Sequence, residues 1–84
     1  MVRISKLYAQ LLNDPRGSVA FRDFERLLEA FGFRLDRTKG SHRQYVHPAA
    51  PFVLTVQPDG KDAKRYQVRQ FLDMVAEFGL SMEE

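Results

Sequence analysis

His42 and His47 are the side chains of this chain best suited to proton transfer. An imidazole has an ordinary pKa of about 6.5, so one ring can act as general base or general acid near neutrality. His42 follows Lys39-Gly40-Ser41 and precedes Arg43. Glycine lets backbone approach a ligand closely, and Ser41 adds an N–H and a hydroxyl. Lys39, Arg43 and Arg37 surround the imidazole with positive charge. Such a setting suits a group that develops negative charge, as a phosphoryl centre does. The plainer reading of His42 is a solvated turn histidine. Metal chemistry finds little support, because the two histidines point to opposite faces of an extended strand and no carboxylate flanks them. The chain has no cysteine, which excludes a disulfide framework, thiolate zinc sites, iron–sulfur clusters and a cysteine nucleophile.

The charge distribution points the same way. Net charge is only +2 over 84 residues, but it is unevenly spread. Residues 1–33 carry five Lys/Arg against four Asp/Glu, residues 34–70 carry eight against three, and residues 71–84 carry four acids and no Lys/Arg. A strongly basic middle followed by an acidic end favours a polyanionic partner such as nucleic acid. Eighty-four residues allow one domain, read as 1–84, and little space for a large cofactor pocket. No apolar run approaches the ~20 residues a bilayer span needs, and no signal-peptide core follows Met1. The expectation is a cytoplasmic protein without membrane attachment.

The elements that must position these residues follow from periodicity. Ile4, Leu7, Tyr8, Leu11 and Leu12 recur at helical spacing, and Asn13-Asp14-Pro15-Arg16-Gly17 breaks the chain. A second amphipathic helix carries Phe24, Leu27, Leu28 and Phe31, with Asp23 and Glu25 in its first turn and Gly32 as its stop. The period then becomes two. Phe33 and Leu35 alternate with Arg34 and Asp36, and His42 to His47 form a second strand after the Lys39-Gly40-Ser41 turn. Pro48-Ala49-Ala50-Pro51 is expected to be a loop, and Phe52 to Val56 a third strand. Gln57 to Asp62 read as a polar loop. The last helix is expected over about Lys64 to Phe78, with Val68, Phe71, Leu72 and Val75 as its core stripe and Gly79 ending it. Tyr66 reads as a core residue at its start, the alternative being a ring that stacks on a base. Tyr45 is the natural core residue of the second strand, so His42 projects from the face away from the helices. The order α-α-β-β-β-α gives an α+β two-layer fold, a three-stranded antiparallel sheet with helices on one face.

Arg37-Thr38-Lys39-Gly40-Ser41-His42-Arg43-Gln44-Tyr45-Val46-His47-Pro48 resembles the central signature of HicA-type mRNA interferase toxins. That signature is a basic or polar run, Gly-Ser-His, an aromatic three residues after the histidine, and a His-Pro step. Leu54-Thr55-Val56, the loop Gly60 to Arg65 and the helix Tyr66 to Leu72 continue the likeness in order, which spans roughly residues 24–80. It implies a double-stranded-RNA-binding-domain-like fold, cleavage of mRNA without metal or other cofactor, and neutralisation by a HicB-type antitoxin. The family's essential histidine maps onto His42. Two departures stand out. Residues 1–20 form an extra N-terminal helix before the core at 21–80. Many relatives also carry a histidine after the third strand, where this chain has Gln57-Pro58-Asp59.

RNA brings its own nucleophile in the 2′-hydroxyl, so a small domain with few ligands can still be an endoribonuclease. His42 is the expected catalytic residue. Lys39, Gly40, Ser41 and Arg43 are the expected RNA contacts around it, and Lys61, Lys64 and Arg65 form a second basic element at the start of the last helix. Base edges are hidden in double-stranded RNA, so single-stranded mRNA is the expected substrate. The alternative is a non-catalytic RNA-binding module of the same fold.

Overall fold

A computed structural model describes residues 3–14 and 17–82, so Pro15 and Arg16 of the expected first turn lie outside the described residues. Helix α1 spans Ile4–Asn13 and α2 spans Phe21–Ala30. Strands β1 (Arg34–Lys39), β2 (His42–His47) and β3 (Ala50–Val56) form one antiparallel sheet in that order. A small hairpin of β4 (Pro58–Asp59) and β5 (Asp62–Ala63) leads into α3 (Arg65–Phe78). The α+β architecture with order α-α-β-β-β-α and helices on one sheet face is the one the periodicity predicts.

The core forms because each element offers one apolar face. Phe21, Phe24, Leu27 and Leu28 of α2 are buried, as are Val68, Phe71, Met74 and Val75 of α3 and Tyr45, Leu54 and Val56 of the sheet. Phe71 is at the centre of an aromatic group, with ring centroids 5.1 Å from Phe31, 5.7 Å from Phe24 and 6.0 Å from Phe33. Edge-to-face contacts of this kind add to plain area burial. The extra helix α1 belongs to this core. Its Leu7 and Leu11 are buried, and Tyr8 packs on Phe31 at 4.9 Å.

Three expectations change in the structure. Strand β3 starts at Ala50 and contains Pro51, where the sequence predicts a loop. Because β3 is a sheet edge, a residue without an N–H is tolerated there, and the pairing with β2 shifts between Tyr45 and His47 to accommodate it. Residues 57–62 are an ordered hairpin rather than a loop. Phe21 N–H donates to the Lys61 carbonyl and Ala63 N–H to the Val19 carbonyl, which ties the hairpin to the start of α2. Tyr66 is outside the core, 57% exposed, and Leu72 is only half-buried. The neighbouring Gln67 takes the buried position at the start of α3, accepting a hydrogen bond from the Gln57 N–H at 2.9 Å.

Candidate functional site

The turn before His42 is a two-residue hairpin closed by the Lys39–His42 pair. Gly40, its first central residue, has φ +60° and Ser41 does not share the positive φ, the pattern of a Gly-X hairpin turn. A side chain on Gly40 would meet open space, so the glycine is needed for its backbone angle and not for room. Lys61 sits in a second hairpin turn of the same kind, after Gly60 at φ +65°.

His42 is exposed at the first position of β2, and no side-chain hydrogen bond holds it among the described residues. The strand alternates, with Tyr45 buried against the helices, so His42, Gln44 and Val46 lie on the outer face. Strand β1 is less regular. Leu35 pairs with Tyr45 and Arg37 with Gln44, which leaves Asp36 as an extra residue. This bulge reverses the alternation that begins at Phe33 and Leu35. Arg37 and Lys39 therefore share the outer face with Gln44 and His42. Were Asp36 paired in regular alternation, both would face the helix layer.

Arg43 lies on the other face. Its guanidinium donates to the Glu25 carboxylate of α2 and lies 5.6 Å from the centre of the Phe21 ring. The Tyr45 hydroxyl donates to the same Glu25 oxygen at 2.8 Å. The hydrogen bond that Arg43 gives to Glu25, and then the Glu25 charge, raise the Arg43 pKa above its ordinary value. Burial pushes the Tyr45 hydroxyl up as well, with the Glu25 hydrogen bond and charge adding to it. Of the residues expected around His42, the structure gathers Lys39, Gly40 and Ser41 and separates Arg43, which joins sheet to helix.

The second histidine is a structural one. His47 Nε2 donates to the Phe31 carbonyl at 2.8 Å, its Nδ1 accepts from the Ala49 N–H at 3.0 Å, and its ring packs on Phe33. The ring ties the far end of β2 to the end of α2. Lys61, Lys64 and Arg65 come to the opposite end of the sheet. Strand β3 returns antiparallel to place Val56 opposite Arg43, and β4 starts two residues later. The Gly40-Ser41 turn and the Lys61 turn are thus at one end. Asp59 and Asp62, paired across the small hairpin, offset part of the second element's charge.

By type and place in the sequence Glu25 is a first-turn acid of α2. A sharper signal was available, since it lies four residues after Phe21 and three before Leu28 and so on the flank of the buried stripe. Replacing Glu25 with Gln is expected to destabilise the domain by about 1–3 kcal/mol, because one amide oxygen must replace a charged acceptor shared by two donors. A lower urea midpoint at unchanged slope is the readout. The raised Tyr45 pKa carries a sign. An unfolded tyrosine titrates near about 10, so the contribution of this hydroxyl is complete below that pH and is lost as pH rises toward the folded value. The stability gap between the parent and Tyr45→Phe should therefore narrow above about pH 10. A gap independent of pH in urea melts would overturn this.

The family model described as HicA toxin of bacterial toxin-antitoxin matches residues 21–75, from the start of α2 to near the end of α3. The chain belongs to the HicA toxin family. Comparison with curated proteins and with solved structures gave no match. The matched span of this HicA-family toxin contains the Gly40-Ser41-His42 turn, Glu25, both basic elements and the bulge at Asp36, while α1 precedes it. Family membership makes the protein the toxin side of a toxin–antitoxin pair, with an antitoxin as the kind of partner it meets. Among the described residues no helix is long and apolar enough to cross a membrane, and no three His, Cys, Asp or Glu side chains converge as a metal site.

Proposed function

We propose that this HicA-family toxin is a cytoplasmic endoribonuclease that cleaves single-stranded mRNA, with His42 as its proton-transfer group. The observation that carries the reading is the exposed His42 beside the Gly40-Ser41 turn, directly opposite Lys39, its ring without a hydrogen bond among the described residues. Cross-strand partners stand about 4.5–5.5 Å apart at Cβ, so one phosphate can meet both side chains. In the reaction the ribose 2′-oxygen attacks phosphorus and the bond to the 5′-oxygen breaks. The 2′-hydroxyl gives up its proton and the leaving oxygen takes one, and His42 performs one of these transfers. Lys39, with the Gly40 and Ser41 backbone, balances the charge that builds on the phosphoryl oxygens. Lys61, Lys64 and Arg65 hold the strand beyond the turn, and Arg43 positions β2 through Glu25. No step calls for a metal ion. A HicB-type antitoxin neutralises the toxin by covering His42 and the cations beside it.

The direct test is incubation of the purified protein with a long unstructured RNA in the presence of EDTA. Cleavage that persists in chelator is expected. Cleavage seen only after magnesium is restored would overturn the mechanism. A second reading, a non-catalytic RNA-binding module, draws on the commitment of His47 to Phe31, which leaves one histidine for two proton transfers. It predicts salt-dependent RNA binding with intact RNA after long incubation at low salt.

A further inference from the structure

The outer face of the β1–β2–β3 sheet carries more positive charge than the turn residues account for. Arg34 lies opposite Val46, and the bulge at Asp36 sets Arg37 opposite Gln44 and Lys39 opposite His42, so three cations of β1 line one side of the outer face of β2. Bulges beside functional sites serve to re-aim side chains in this manner. All six β1 residues are exposed. We propose that this face is a binding track for single-stranded RNA that leads to His42, with Arg34 and Arg37 as phosphate contacts beyond the Gly-Ser-His turn. The proposal deepens the reading of His42 as the cleaving group and rests on it for the direction of the track.

The geometry suits a polynucleotide. From the Lys39–His42 pair to the Arg34–Val46 pair is four residues, about 13 Å at about 3.3 Å per residue. Cations repeated along that length match a repeating backbone charge. The carboxylate of Asp36 lies 3.4 Å from Arg37 Nε, with both side chains largely in solvent, and exposed pairs of this type hold weakly enough for a phosphate to displace the acid. Gln44 and Thr55, opposite each other in the second and third strands, supply donors and acceptors for sugars or base edges. At the far end Arg34 lines a cleft of about 450 Å³ with Val46, His47 and Pro48, where a base can rest against apolar walls and a guanidinium plane. The helices bury Tyr45, Leu54 and Val56 on the other side of β2 and β3, so along those strands the outer face is the one left open to a ligand.

The test measures binding in the His42→Ala background, where the RNA stays whole. A fluorescein-labelled single-stranded oligoribonucleotide of mixed sequence is titrated by anisotropy at 50–200 mM salt. Adding Arg34→Gln and Arg37→Gln together is expected to weaken binding about tenfold and to reduce the salt slope by about 0.7 per arginine. Arg69→Gln, the loss of one charge on the exposed side of α3, is expected to leave both unchanged. In the cleaving protein the Arg34/Arg37 pair should raise KM with kcat retained. Equal behaviour of the pair and Arg69→Gln overturns the track. So does loss of antitoxin binding with RNA binding intact, which marks the face as a protein interface. If the parent never cleaves RNA but its binding depends on Arg34 and Arg37, the cleavage reading fails and the track stands. No binding by the parent at 50 mM salt overturns both.

Discussion

His42→Ala is expected to lower the rate of RNA cleavage by about 10²–10⁴-fold, the usual contribution of a positioned proton-transfer group. The fold should not change. His42 is exposed at the first position of β2 and, among the described residues, no side-chain hydrogen bond depends on it, so truncation leaves neither a cavity nor an orphaned polar group. The variant should match the parent in circular dichroism and urea midpoint, and should still bind RNA because Lys39, Arg34 and Arg37 remain. The measurement is single-turnover cleavage of a long RNA across pH 5–8, together with growth after expression in a bacterial host. Undiminished cleavage by the variant removes His42 from the mechanism. Loss of activity together with loss of the circular-dichroism signal would instead make His42 a folding residue, contrary to its exposure.

Phe71→Ala should have the largest effect on stability. The side chain is fully buried and touches the rings of Phe24, Phe31 and Phe33, which come from α2 and from the segment between α2 and β1. Truncating a buried phenylalanine costs about 3–5 kcal/mol, the sum of lost transfer energy and the cavity left behind. Domains in general hold only about 0.05–0.15 kcal/mol per residue, so the loss is a large share of the total for 84 residues. Equilibrium urea unfolding is the check, and a midpoint change equivalent to less than about 1 kcal/mol would overturn the central place given to this ring. Phe78 provides the contrast. It is half-buried and packs on the exposed Phe52 at 6.0 Å, so its truncation should cost clearly less.

The two effects concern opposite sides of the sheet, and they were legible to different degrees. The helices and the apolar core could be read from spacing, because a residue's face within one element follows from a fixed period and needs no distant contact. The same logic placed His42 outside, two registers being available and Tyr45 selecting one. Tyr66 failed the same reasoning. A tyrosine at the edge of a helical stripe fits either side, and packing against the β3–β4 link gave the inner position to Gln67. Pro51 was assigned to a loop because a proline is excluded from central strands, and its place on an edge depends on strand order, a property of the whole sheet.

The polar arrangement required the assembled fold. Alternation puts Arg43 on the Tyr45 side of β2, but nothing local shows that Glu25, eighteen residues earlier, holds it there. Nor does composition reveal that one unpaired residue at Asp36 turns Arg37 and Lys39 toward the side of His42. Apolar periodicity was enough to establish the two-layer architecture and the exposed histidine, because each rests on residues adjacent in the chain or one turn apart. The family likeness rests on the order of motifs from the Gly-Ser-His turn through the His-Pro step to the last helix. The partners of the charged side chains were decided by strand register and by the docking of α2 on β2. Those are long-range pairings, and a shift of a single residue exchanges one face of a strand for the other.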